Sequence, residues 1–291
     1  MEARISNPVR SAPGVTDARS VASPVLVTGG TGTLGRLVVA RLRAAGCAVR
    51  VLSRRRREGG EGIEGSEEDG TGIETVTGDL ASGAGVDAAV EGTEVVVHCA
   101  GSSTGDEAKA RQLVRAAARA GARHLAYISV VGADRIPIAS GLDRALFGYF
   151  GAKLAAERAV ADSGLPWTTL RATQFHEGIL LVARQLARLP VVLVPAGFRF
   201  QPVDAGEVAA RLAELALGPP AGLAPDLAGP RVYEMAELVR GYLRASHKRR
   251  PIIALRMPGR AARAIRAGAN LAPDRAVGRR TWEDFLAARV T

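Results

Sequence analysis

Eight residues near the start of the chain, Thr28-Gly29-Gly30-Thr31-Gly32-Thr33-Leu34-Gly35, limit its choice of fold more than anything else in the sequence. They follow an apolar run at 24–28 and open a helix-compatible stretch at 33–45, which Gly46 closes. A short apolar run ending in glycines is how a buried parallel strand reads. The glycines fit both G-x-G-x-x-G (Gly30, Gly32, Gly35) and G-x-x-G-x-x-G (Gly29, Gly32, Gly35). The first glycines permit a tight turn and the middle one lets backbone amides approach a pyrophosphate. The last allows close helix–strand packing. Unsatisfied N–H groups and a partial positive charge at the helix start complete a phosphate site. Gly29, Thr31, Gly32, Thr33, Leu34 and Gly35 are therefore expected to contact a dinucleotide. The plain alternative is a glycine-rich turn without a ligand.

A second strand is expected at 47–52, and further strands at 73–76, 94–99, 124–129 and 167–171. Helices are expected at 106–120, 149–162 and 175–188, with a Gly- and Glu-rich loop at 58–72. Strands alternating with helices predict an α/β, Rossmann-type, doubly wound parallel sheet. Beyond residue 190 the alternation loosens, with short strands at 191–193 and 199–203 and helices at 205–217, 235–245 and 259–269. The expected organisation is a polar tail at 1–23, a dinucleotide-binding domain at 24–190 and a smaller C-terminal substrate lobe at 191–291. The helix at 205–217 is expected to pack back on the sheet. No internal repeat is visible.

The end of the second strand selects the dinucleotide. Sites that prefer NAD carry Asp or Glu there to hold the ribose 2′-OH. Here the strand runs into Ser53-Arg54, Arg55–57 follow, and no acid occurs before Glu58. A guanidinium beside a small hydroxyl suits a 2′-phosphate, so NADP(H) is the expected cofactor. A solvated arginine run is the alternative. Asp79 and Leu80 follow the third strand, where a carboxylate can accept from an adenine amino group. Ala100 and Gly101 end the fourth, where backbone must pass close to the cofactor. His98, inside that strand, reads as a packed residue rather than a catalyst.

Composition narrows the setting. The chain has 291 residues, 47% of them apolar, enough to bury a core. No uncharged apolar run reaches the length of a membrane span, and residues 1–23 lack the apolar core of a secretory signal. Cys47 and Cys99 are the only cysteines, so neither a disulfide framework nor a metal site is expected and a cytoplasmic setting fits. The net charge is +10, but aromatics make up only 4% and no recognition motif occurs, so nucleic acid is not an expected partner. Only three of the 39 basic residues are lysines, Lys109, Lys153 and Lys248, so a lysine here is mildly informative. Residues 244–280 hold eleven Lys/Arg against one acid, Asp274, and the rest of the chain is balanced. Arg256, Arg260, Arg263 and Arg266 recur there at helical spacing. They form either a solvated face or a site for an anionic partner.

The motifs T-G-G-T-G-T-L-G, S-R, G-D-L, Y-I-S-V-V-G, Y-x-x-x-K, L-R-A-T-Q-F and Q-P-V-D occur in that order across residues 24–217. In this the chain resembles the short-chain dehydrogenase/reductase superfamily, in its atypical extended, NmrA-like NAD(P)-binding branch. The resemblance extends faintly to Thr281-Trp282-Glu283-Asp284-Phe285-Leu286. It implies that Tyr149 passes a proton to a carbonyl oxygen while Lys153 holds the nicotinamide ribose. Four residues apart on a helix, the two share a face, and a neighbouring ammonium is expected to lower the tyrosine pKa. Ser129 matches the hydroxyl that orients the substrate carbonyl. In the branch, the turn after the sixth strand contacts nicotinamide and borders the substrate. That makes Thr173 a cofactor candidate, or an N-cap, and Phe175 and His176 substrate candidates, with a helix-capping or packing role the alternative for His176.

Two features depart from the pattern. The spacing from Ser129 to Tyr149 is twenty residues, longer than usual, and the intervening segment reads as a loop-like lid. The typical catalytic asparagine is absent, because Asn7 and Asn270 are the only asparagines. The expected function is an NADPH-dependent reductase of a small or medium carbonyl or an activated double bond. The alternative is an NADP(H)-binding redox sensor without turnover. Oligomeric state stays open, with the monomer favoured because extended members are often monomeric.

Overall fold

The computed structural model describes residues 23–54, 73–101 and 105–290. The tail, Arg55–57 and the loop expected at 58–72 lie outside the described residues. Seven strands form one parallel sheet. They are β1 (Val25–Thr28), β2 (Val49–Ser53), β3 (Ile73–Thr77), β4 (Val95–His98), β5 (His124–Val130), β6 (Trp167–Ala172) and, later in the chain, β9 (Gly222–Leu223). Their order is β3-β2-β1-β4-β5-β6-β9, and it reverses direction at β1. In such sheets the crevice beyond the carboxyl ends at the reversal is where ligands bind. Every residue of β5 is buried, as expected of a central strand covered on both faces.

Two apolar layers cover the sheet. On one face α1 (Thr33–Ala44) packs with α6 (Ala205–Leu217), so Val38, Val39 and Leu42 share a core with Val208, Ala209 and Leu212. On the other face lie α2 (Val86–Val90), α3 (Asp106–Arg119) and α4 (Gly141–Ala161), which bury Leu113, Val114, Ala156 and Val160 against Leu26, Val96 and Leu125. Helix α6 thus packs on the same face of the sheet as α1. Its N-cap Asp204 accepts from Gly206 N at 2.7 Å and Glu207 N at 3.3 Å.

The C-terminal lobe is built from α5 (His176–Leu186), β7 (Val192–Pro195), β8 (Arg199–Phe200), β10 (Tyr233–Glu234) and α7 (Met235–Ala245). It is completed by β11 (Ile252–Leu255), α8 (Arg260–Arg266) and α9 (Trp282–Arg289). Here β8 pairs antiparallel with β10, and β7 parallel with β11.

Three boundaries differ from the sequence reading. Helix α4 begins at Gly141 rather than 149, because Ser140 caps it by accepting from Asp143 N at 3.0 Å. The segment before it is pinned rather than lid-like: Ile136 and Phe147 are buried with Phe198 and Ile265. Arg171, at the end of β6, also ties Glu157 of α4 to this segment, bonding that carboxylate at 2.9 and 2.7 Å and Asp134 at 2.9 Å. Finally, α8 spans only Arg260–Arg266, so Arg256 lies outside the helix. Arg266 is partly buried and donates to Met257 O at 2.8 Å, so the four arginines form no common solvated face.

The seating of α6 sets a measurable contrast. Leu212→Ala removes a fully buried side chain and is expected to lower unfolding free energy by about 3 kcal/mol. Leu217→Ala, on the exposed side of the same helix, is expected to cost less than about 1 kcal/mol. Urea denaturation separates the two; equal losses would mean that α6 is not seated on the sheet.

Candidate functional site

The turn after β1 is held so closely that side chains are excluded from it. Gly29 has φ +71°, and a Cβ there would lie 2.6 Å from Ala100 N. A Cβ on Gly35 would lie 2.0 Å from Gly29 O, so the first turn of α1 rests directly on the loop. Gly32 N donates to Gly29 O at 2.9 Å, which closes the turn. Helix α1 starts at Gly32 with neither a capping side chain nor an acid in its first turn. Its free amides and the positive end of its dipole therefore face the cleft, the setting a phosphate requires.

A cavity of about 390 Å³ opens at this loop. It brings together the sequence candidates Gly29, Thr31, Gly32, Ser53, Arg54, Asp79, Leu80, Ala100 and Gly101. Parallel register accounts for this: Thr28 lies beside Leu52 and His98, and Ser53 beside Thr77. Arg54 is exposed at the rim with Ser53 beneath it. Asp79 Oδ1 accepts from Ala81 N at 2.9 Å, which leaves Oδ2 as the group to meet a ligand. The sequence reading missed the lining residues Thr28, Leu52, Gly78, Ala81, Cys99 and Lys109. Most are immediate neighbours of named candidates, whereas Lys109 comes from α3 and only the fold reveals it. His98 packs as expected: it is hydrogen-bonded to Thr28 Oγ1 at 2.7 Å and stacked on Tyr127. Burial pulls its pKa down to about 3, with Lys153 and Lys109 adding to the effect.

Beyond Gly101 lies a buried polar cluster. Lys153 Nζ sits 3.3 Å from Asp106 Oδ2 and donates to Tyr127 Oη at 3.3 Å and Ile128 O at 3.4 Å. Burial lowers the lysine pKa, and the Asp106 carboxylate opposes that shift. Tyr149 lies on the same helical face, its ring centre 5.8 Å from Lys153 Nζ. It is 41% exposed, and it makes an edge contact with Phe150. The expected lowering of its pKa does not occur. Loss of hydration and the negative charge of Asp106 push the phenol up to about 12. Lys153 faces Asp106 rather than the phenol, which is the physical reason. Ser129 is buried at the end of β5 and its Oγ has no hydrogen-bond partner among the described residues. Asp106 and Tyr127 were not foreseen; a carboxylate opening the helix after β4 was the available signal for the first.

The turn after β6 is placed differently from the expectation. Thr173 is buried and donates to Gln201 O at 2.5 Å, so it ties the sheet to the lobe. The N-cap of α5 is Phe175, with no side-chain cap. Phe175 is partly buried against the core. His176 is fully buried, stacked on Phe285 at 4.9 Å and Trp282 at 6.0 Å. Burial takes its pKa down to about 4, and no nitrogen of its ring has a hydrogen-bond partner among the described residues. Neither Thr173 nor His176 lines the cavity. Helix α9, distant in sequence, supplies the rings that cover His176.

Comparison with known proteins agrees with this geometry. A family model described as NAD(P)H-binding matches residues 29–185. The (4-alkanoyl-5-oxo-2,5-dihydrofuran-3-yl)methyl phosphate reductase of Streptomyces griseus is 35% identical over 156 residues, 54% of this chain and 49% of that protein. The chain therefore spans about half the length of that relative. The NAD(P)H azoreductase of Xenophilus azovorans is 27% identical over 218 residues, 74% of this chain and 71% of its own. Among solved structures, the NADPH-dependent quinone oxidoreductase of Escherichia coli, complexed with NADPH, superposes with a TM-score of 0.72 at 20% identity. That match covers 91% of this chain and 99% of the other and extends the shared fold into the C-terminal lobe. The glycine cradle at the sheet reversal, the bare helix start facing it and a family match over more than half of the sequence lead to one conclusion: this chain belongs to the NAD(P)H-binding family.

Proposed function

We propose that the chain is an NADPH-dependent reductase of a conjugated, electron-poor acceptor, such as a quinone-like carbonyl or an activated double bond. One observation carries the reading. A Cβ on Gly101, which lines the dinucleotide cavity, would lie 3.1 Å from Lys153 Nζ. The buried ammonium thus stands at the inner end of the cleft, where it serves to hold the nicotinamide ribose. The bound dinucleotide supplies hydride. The reductases named above, whose substrates are an azo compound, a quinone and an oxo-dihydrofuran, support this acceptor class.

The protein's own part is positional and acidic. The amides of α1 and the side chains of Ser53 and Arg54 hold phosphate groups, with Arg54 on the 2′-phosphate. Tyr149, its ring centre 5.8 Å from Lys153 Nζ, follows the exposed aliphatic side chains Leu142 and Leu146 on α4. Spaced along one helical face, these three side chains give a lipophilic acceptor an apolar approach to a phenolic proton. With its pKa pushed up to about 12 the phenol keeps its proton throughout the neutral range. It is a weaker acid than an unshifted tyrosine, so donation rests on its position beside the acceptor. Ser129 offers a hydroxyl toward the acceptor oxygen. Asp106 fixes Lys153 in place of the missing asparagine.

Three measurements test the proposal. Arg54→Ala is expected to weaken NADPH binding about ten- to a hundredfold, the value of a charge-assisted contact, and to leave NADH binding nearly unchanged. Equal losses would remove the 2′-phosphate assignment. Tyr149→Phe is expected to lower kcat about a hundredfold on quinone acceptors at unchanged NADPH affinity. Full activity in that variant would remove the acid assignment, and tight NADPH binding with no turnover of any acceptor would favour the redox-sensor alternative. A raised phenol pKa also fixes a sign: ionisation of Tyr149 begins only as pH approaches 12. The wild-type rate is therefore expected to show no tyrosine-dependent fall between about pH 8 and 10.5, where an unshifted phenol of pKa ~10 would already be failing.

A further inference from the structure

A lobe face that shares no residue with the dinucleotide cavity carries an unbalanced set of charges. Arg240 and Arg244 on α7, followed by Lys248, Arg249 and Arg250, put five cations into eleven residues without one acid. All five are exposed, and none has an acidic partner among the described residues. Two other arginines of the same lobe are paired, Arg231 with Glu237 and Arg280 with Asp204 at 2.9 Å.

The chain is shaped to gather these cations. Helix α7 ends in a turn in which His247 N donates to Arg244 O at 3.1 Å and Lys248 N to Leu243 O at 2.8 Å. This double closure needs a left-handed residue, and His247 supplies it at φ +52°, the only non-glycine with positive φ among the described residues. The turn folds Lys248–Arg250 back beside the helix end, where with Arg240, Arg244 and Pro251 they line a cavity of about 460 Å³.

Aliphatic side chains border this cationic rim. Pro251 leads into β11, and its carbonyl accepts from Val192 N of β7 at 2.9 Å. In the β7–β11 pair, Leu193 lies beside Ile253, and Leu255 follows on the same face. These three are 46–49% exposed, as is Leu189 just before β7, whereas Val192 and Val194 face the core.

We infer that this face, with the Arg240–Arg250 cations around the Leu193–Ile253–Leu255 apolar patch, docks the protein on an anionic lipid surface. Cations adjoining aliphatic groups match both layers of such a surface, its headgroup charge and its acyl boundary. A second copy of the chain would set five cations against five. Nucleic acid would meet aliphatic groups that cannot stack on bases. Docking here leaves the dinucleotide cleft free, and the inference is independent of the reductase reading.

Vesicle co-sedimentation of the full chain tests it, with phosphatidylglycerol–phosphatidylcholine vesicles set against phosphatidylcholine alone. Wild type is expected to bind the anionic vesicles and to release as salt rises. Arg240→Gln/Arg244→Gln/Arg249→Gln/Arg250→Gln is expected to reduce binding by about thirtyfold or more, with NADPH affinity unchanged as the check on folding. Leu193→Ser/Ile253→Ser, which keeps every charge, is expected to weaken binding about tenfold. No preference for anionic vesicles, or wild-type binding by the fourfold variant, overturns the inference. So does binding to DNA or heparin, lost in that variant, with no binding to vesicles.

Discussion

The approach of Gly29 to Ala100 is the constraint on which the rest of the cleft depends. It lets the ends of β1 and β4 close on each other without an intervening side chain, and Gly35 then seats α1 on the same turn. Once that turn is set, parallel register fixes everything around it. Ser53 and Arg54 fall at the end of one neighbouring strand, Gly78 and Asp79 at the end of the next, and His98 to Gly101 on the other side. This register places a bare helix N-terminus, a guanidinium and a carboxylate around one cavity.

A second organising contact lies deeper. Gln201 is buried where the sheet meets the lobe: its Nε2 donates to Gly229 O at 2.8 Å and Ala272 O at 3.4 Å, and its Oε1 accepts from Ala272 N at 3.0 Å. Its own carbonyl accepts from Thr173. The side chain of this one residue therefore holds the Gly229 and Ala272 segments, and its backbone carbonyl holds the turn after β6. Asp106 plays a comparable part for Lys153, holding a buried ammonium whose charge burial disfavours.

The N-terminal half was legible because its signals are local: an apolar run, glycines and an amphipathic helix recur at spacings that one window can hold. The cleft lining followed from strand ends for the same reason. Other readings failed or stayed open where a distant segment decides. For His176 the sequence left substrate contact and packing open, and Trp282 and Phe285 of α9 enclose it. Tyr149 read as an acidified phenol because Lys153 is its helical neighbour, whereas Asp106 from another helix takes that ammonium. The arginine periodicity at 256–266 ran across Pro258-Gly259, where no helix forms. The capping pair Ser140–Asp143 was present in the sequence but masked by the nearby proline and glycines.

The return of α6 to the sheet has a consequence for synthesis. One side of β1, β2 and α1 is covered by residues that come late in the chain, Val208, Leu212 and Ala216 among them, and one sheet edge is formed by β9. A chain emerging from the ribosome thus carries the whole glycine cradle long before the residues that shield its apolar flank. Until residue 223 has cleared the exit tunnel, that flank is a surface for chaperones or for aggregation. The nascent protein thus carries every residue lining its dinucleotide cavity before the apolar flank of the same sheet is covered.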